Sequence, residues 1–298
     1  MRDGGWLNLY SIGGYVLSVE GHDPELHQLA NAIYSGARVD SGTADITFRL
    51  SRVNEDGLEL YCLSAADVEI CRQRTLGDFF LDVEWTLTQQ AMSGCCGLIQ
   101  VHAGAVAING GGVLICGPPG SGKTSLVVGL AGHGASVLSD EVGLLKTGVS
   151  TPHPRLVGTT ELIAFPRDLI VHRRTQQLFP RAAYGQEPSF KRFPDRCHVS
   201  FDRLSQAPEL AAAVPLRQML FTSFQPGCEL ALARLGPAAA ARRLLLDTYN
   251  LESMGEECTE LVAGVAESCP AWSIRYGDAV QASSLVATFI GVANTSKE

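Results

Sequence analysis

An apolar run, Val113-Leu114-Ile115-Cys116, leads directly into Gly117-Pro118-Pro119-Gly120-Ser121-Gly122-Lys123-Thr124, and this junction constrains the chain more than any other stretch of it. Four apolar residues before a glycine-rich turn read as a buried strand, and Leu126, Val127, Val128 and Leu130 after it suit a helix. Strand, glycine loop and helix in that order demand an α/β layout. The spacing G-x-x-x-x-G-K-[ST] also has a chemical reason. Glycines let the backbone N–H groups turn inward to hold a β-phosphate, Lys123 reaches the β and γ oxygens, and the Thr124 hydroxyl ligates Mg²⁺. A helix beginning near Lys123 aims the positive end of its dipole at the same anion. Gly117, Gly120, Ser121, Gly122, Lys123, Thr124 and Ser125 are thus expected to hold a nucleoside triphosphate such as ATP. The competing reading, a plain glycine turn between strand and helix, leaves the Lys-Thr pair unexplained.

At 298 residues and 46% hydrophobic, the chain can bury a sizeable core and is long enough for one large domain or two modest ones. Its net charge of −8 argues against a nucleic-acid or anionic-membrane partner acting across the whole surface. A homo-oligomer is left open. Nine cysteines form no C-x-x-C pair and no Cys/His spacing of a zinc site, which fits reduced thiols. The start, Met1-Arg2-Asp3-Gly4-Gly5-Trp6, has no basic-then-apolar signal, and no apolar run reaches the roughly 18 residues of a membrane span. Cytoplasmic residence is the expectation.

Residues 1–96 read as a small mixed α/β domain. Tyr15-Val16-Leu17-Ser18-Val19, Ile46-Thr47-Phe48-Arg49-Leu50 and Leu58-Glu59-Leu60-Tyr61-Cys62 suit strands. Phe79, Val83, Leu87 and Ala91 recur every four residues, predicting an amphipathic helix from Asp78 to Met92. Residues 97–298 hold the glycine loop. Between Leu98 and Cys116 the pattern is strand, Asn109-Gly110-Gly111-Gly112, strand, a hairpin signal. With Gly110-Gly111 as its two-residue loop, His102 falls opposite position 119 and is aimed at the γ-phosphate. A satisfied core histidine is the plainer alternative.

After the loop's helix, Ala135-Ser136-Val137-Leu138 begins another strand that ends in Ser139-Asp140-Glu141. Carboxylates at the C-terminal end of a strand in an α/β sheet stand where a Mg²⁺-holding acid or a catalytic base is needed. Between 165 and 197, Arg167, Arg173, Arg174, Arg181, Lys191, Arg192 and Arg196 are interrupted by prolines, which suits an anion-binding lid. Lys191 is one of only four lysines and is expected among the nucleotide-binding groups. Leu244-Leu245-Leu246-Asp247 and Trp272-Ser273-Ile274-Arg275-Tyr276-Gly277-Asp278 read as a structural helix and a final strand.

His102-Ala103-Gly104-Ala105, the glycine loop and Val137-Leu138-Ser139-Asp140-Glu141, taken as a set, resemble the HPr serine kinase family and its relatives, among them lasso-peptide kinases. Thr151-Pro152-His153-Pro154-Arg155-Leu156 and Ile274-Arg275-Tyr276-Gly277-Asp278 extend the resemblance to roughly residues 100–285. It implies a P-loop kinase core of the HPr kinase/PEP carboxykinase-like type. It further implies that Asp140 with His102 deprotonates an acceptor hydroxyl, that Lys123 binds the phosphates, and that Thr124, Glu141 and Asp140 hold Mg²⁺. Glu141 stands where the family has a second aspartate, and the downstream arginine-glycine signature of genuine HPr kinases is missing, so HPr itself is not implied as the acceptor. The sequence thus points to a Mg-ATP-dependent kinase acting on a serine- or threonine-type hydroxyl of a peptide, protein or metabolite. The alternative is a P-loop ATPase or nucleotide-gated binding module that phosphorylates no acceptor.

Overall fold

A computed structural model of the chain describes residues 4–149, 157–180, 195–204 and 213–295. It is a mixed α/β protein with several sheets, divided into two compact units. The first comprises Met1–Cys96, Pro166–Ile170 and Tyr184–Asp202; the second comprises Gly97–Phe165, Val171–Ala183 and Arg203–Glu298.

In the first unit the elements run β1 (Trp6–Ile12), β2 (Tyr15–Gly21), α1 (Pro24–Asn31), β3 (Arg38–Val39), β4 (Ile46–Glu55), β5 (Leu58–Ala65), β6 (Val68–Gln73) and α2 (Leu76–Gly94). The strands form one sheet in the order β3-β1-β2-β4-β5-β6. Asp23 starts α1 by accepting from the N–H of Glu25 at 2.8 Å, and Thr75 starts α2 by accepting from the N–H of Asp78 at 3.2 Å. The four-residue apolar repeat does bury one face of α2, through Phe79, Val83, Leu87 and Ala91. Two segments distant in sequence are stitched on by Asp168, whose carboxylate accepts from the Ser35 hydroxyl at 2.5 Å and the Phe201 N–H at 3.0 Å.

The second unit contains β7 (Ile99–Ile108), β8 (Gly111–Cys116), α3 (Lys123–Gly132), β9 (Ser136–Ser139), β10 (Val142–Val149) and β11 (Val157–Ile163). Short elements follow along the chain, of which β13 and parts of β12 and α5 belong to the first unit: β12 (Leu169–His172), α4 (Arg173–Leu178), β13 (Arg196–Val199) and α5 (Phe201–Leu204). Then come β14 (Val214–Phe224), β15 (Ala231–Leu235), α6 (Pro237–Leu246), α7 (Leu251–Met254), α8 (Glu256–Ser268), β16 (Ala271–Tyr276) and α9 (Ala279–Thr295). The main sheet runs β11-β10-β7-β8-β14-β16-β15, with β9 also against β7. Strands β8, β14 and β16 are parallel, with Cys116 beside Phe221 and Phe221 beside Ser273. Their C-terminal ends share one edge, and the glycine loop leaves from there, the edge where open α/β sheets bind ligands.

Close packing fixes α3 over that edge. A Cβ on Gly104 of β7 would come 2.6 Å from Val127, and one on Gly129 would come 2.6 Å from Ser283 of α9. Only glycine lets helix, sheet and second helix approach so far. The core on the other face joins Val101, Ala103, Ala105, Leu114 and Cys116 to Leu244, Val262 and Val265 of α6 and α8.

Two details differ from the sequence reading. The hairpin turn is Asn109-Gly110, with φ of 49° and 68°, and Ile108 pairs with Gly111. Asn-Gly takes the two positive φ values of a type I′ turn, which matches strand twist, and this moves the register by two. The strand pairing therefore points His102 toward Gly117, not Pro119. The acidic pair does follow the end of β9, but that strand is antiparallel to β7 and the chain goes on along the same edge. Strand β9 stops at Ser139 and the chain resumes as β10 at Val142, both against the same edge of β7. Asp140 and Glu141 occupy the irregular step between them, where the Ser139 hydroxyl accepts from the N–H groups of Glu141 at 3.2 Å and Val142 at 3.0 Å.

Candidate phosphate-binding site

Gly117, Gly120 and Gly122 take φ values of 146°, 78° and 92°, so the loop between β8 and α3 is built on backbone that side chains disfavour. Space is equally short. A Cβ on Gly122 would sit 2.1 Å from the Tyr276 hydroxyl, and one on Gly117 would sit 2.7 Å from the Ser121 hydroxyl. The Tyr276 hydroxyl donates to the Gly122 carbonyl at 3.0 Å. Thr222, at the end of β14, donates to the Cys116 carbonyl at 3.0 Å and meets the Ser121 hydroxyl at 3.0 Å. Lys123 is buried and donates to the carbonyls of Gly117 at 2.6 Å and Pro118 at 3.4 Å. Burial lowers its pKa, while Glu141, Asp247 and Asp140 pull the other way. Thr124 is half-buried on the first turn of α3, and the Ser125 hydroxyl meets that of Thr175 on α4 at 2.8 Å.

Strand β7 is buried at every position except His102, which is half-exposed. Its Nε2 lies 3.3 Å from Glu141 Oε1, and its ring centroid is 5.6 Å from that of Tyr249. The Tyr249 hydroxyl donates to the same Glu141 oxygen at 3.4 Å. The Glu141 carbonyl accepts from the Ala103 N–H at 3.1 Å, which brings the acidic step level with the head of the loop. Asp140 is 3% exposed.

Sequence reasoning missed Asp247, Tyr249, Thr222 and Tyr276. Strand β8 accompanies β7 only from Ala103 onward, because the chain turns away at Gly117. Residues 247–250 fill the vacated edge. The His102 N–H donates to the Asp247 carbonyl at 2.6 Å, and the Tyr249 N–H donates to the Gln100 carbonyl at 2.7 Å. Asn250 accepts from the Gln100 N–H at 3.0 Å and donates to the Leu98 carbonyl at 2.8 Å. Asp247, read from sequence as part of a structural helix, is the residue after α6. Burial raises its pKa, and His102, Lys123 and the Gly117 main chain oppose that rise. The only hint in sequence is the polar run Asp247-Thr248-Tyr249-Asn250 straight after an apolar helix.

Lys191, Arg181, Arg192 and the Thr151–Leu156 stretch lie outside the described residues. Arg167 pairs with Glu84 at 3.4 Å inside the first unit. Arg174 lies over the Phe224 ring, 5.9 Å from its centroid. Among the described residues no three His, Cys, Asp or Glu side chains form a metal cluster, and no helix is long and apolar enough to cross a membrane.

No protein-family model matches the chain, and no curated protein does. Among solved structures it is similar to the Hpr(Ser) kinase/phosphatase from Coxiella burnetii, at 11% identity and a TM-score of 0.32, over 66% of this chain and 97% of that one. The likeness is a distant one.

Proposed function

We propose that the chain is a Mg-ATP-dependent kinase that transfers the γ-phosphoryl group to a serine- or threonine-type hydroxyl. One observation carries this reading: a buried lysine on a glycine loop, with His102, the Asp140-Glu141 pair and Asp247 brought to the same sheet edge from three separate stretches of chain. Phosphoryl transfer asks a protein mainly for positioning and charge, with a carboxylate for the acceptor's proton. The loop's N–H groups and Lys123 would hold the phosphates, and His102 would orient the acceptor beside them.

The donors present are oxygen groups, which suits Mg²⁺. This ion is usually held by one or two carboxylates together with the nucleotide's own phosphates, so a cluster of three acids is not required. Thr124, Asp140 and Glu141 would hold it, and it would neutralise charge on the β- and γ-oxygens. The second unit, which holds the glycine loop, would carry the chemistry.

Transfer of label from γ-labelled Mg-ATP to a size-fractionated host extract tests this. Labelled acceptor that disappears with Lys123→Ala supports a kinase. Free labelled phosphate with no labelled acceptor would turn the reading toward an ATPase.

A further inference from the structure

The kinase reading leaves open which carboxylate meets the incoming hydroxyl, and the inference here rests on that reading. Asp140, the choice from sequence, is 3% exposed and buried at the β9–β10 step. A base must come within hydrogen-bond reach of the proton that it removes, about 3 Å between heavy atoms. A hydroxyl on a peptide or metabolite would have to displace packed structure to reach Asp140. Glu141 is open, but His102 and Tyr249 already converge on one of its oxygens. Asp247 differs from both. It is half-buried, and its carbonyl accepts from the His102 N–H on β7, at the point where β8 has left for the loop. An acid at a loop built to bind phosphate works against ground-state binding, so its placement calls for a role in the reaction.

We propose that Asp247, held at the edge of β7 by the segment that takes the place of β8, is the carboxylate that receives the acceptor's proton. In the step, the acceptor oxygen bonds to the γ-phosphorus as its proton passes to the Asp247 carboxylate. The bond from the γ-phosphorus to the β–γ bridging oxygen breaks, and its electron pair leaves with ADP. Burial raises the Asp247 pKa, and His102 and Lys123 oppose that rise. The Asp247 carbonyl, the Tyr249 N–H and the Asn250 side chain pin this segment to β7.

Full-length wild type is compared with Asp247→Asn and Asp247→Ser in two assays: calorimetric titration with metal-free ATP, and release or transfer of γ-label from Mg-ATP. Loss of a negative charge near Lys123 is expected to tighten metal-free ATP several-fold in both variants. Turnover is expected to fall by about 10²-fold or more. Unchanged affinity together with unchanged turnover would overturn the assignment. So would affinity and turnover falling together, since a residue that only props the loop would behave that way. Wild type that binds no ATP would instead sink the kinase reading itself. If wild type binds ATP and the variants are neutral, only Asp247 loses its role.

Discussion

The two flanks of the glycine loop are built from different chemistry. On the β7 side stand His102, Glu141, Asp140 and Asp247, all ionisable, and Glu141 makes side-chain contacts to both His102 and Tyr249. On the β14–β16 side stand Thr222, Tyr276 and Phe224, which are neutral and bind the loop's own backbone or pack beside it. The contrast teaches a division of labour: neutral hydroxyls shape the loop, and under the proposed function the ionisable flank would act on what the loop holds. Charges on the shaping side would compete with the phosphates, and apolar groups on the other could not move a proton.

Substitutions on each flank can break this contrast. The largest effect is expected from Asp140→Asn, which removes a carboxylate proposed to hold Mg²⁺ and should lower γ-label transfer by about 10²-fold or more while metal-free ATP binds near wild type. Gly122→Ala comes next, since φ is 92° and the new Cβ would sit 2.1 Å from the Tyr276 hydroxyl. Backbone strain of ~1–3 kcal/mol should show as a lower Tm, and calorimetry should find ATP binding lost.

Thr222→Val removes a hydroxyl that joins the Cys116 carbonyl to Ser121 and leaves that carbonyl one partner short. A loss of ~1–3 kcal/mol in denaturant unfolding is expected, with weaker ATP binding but a near-normal rate at saturation. Tyr276→Phe deletes one neutral hydrogen bond and should cost ~0.5–1.5 kcal/mol by the same measurement. If Thr222→Val slowed the saturated rate as much as Asp140→Asn, the two flanks would not be separate in function.

Much of this edge was legible in the residues. The run from Val113 to Thr124 announces strand, loop and helix, because glycine and lysine at those intervals serve both backbone geometry and phosphate chemistry. The periodicity of α2 and the acid pair near the loop were also visible, since both are local patterns. Register was harder. Four consecutive positions at 109–112 offer more than one two-residue turn, and the choice fell to Asn109, whose side chain tolerates φ of 49°.

Asp247 marks the limit of local reading. Nothing around Leu244-Leu245-Leu246-Asp247 refers to a phosphate loop, and Asn250 is bonded to Gln100 across 150 positions of chain. Its place follows from an accounting of main-chain bonds: β8 departs at Gly117, β7 is left with unpaired N–H and C=O groups, and a buried strand must have them satisfied. Tyr276 reaches Gly122 for a related reason, because β16 lies parallel to β14 and ends on the same edge. The sequence by itself determined the strand–loop–helix unit and its lysine, since those depend on neighbours a few residues apart. The tertiary structure alone decided which acids, hydroxyls and aromatics surround that lysine, since strand order and register bring them together and no local pattern encodes either.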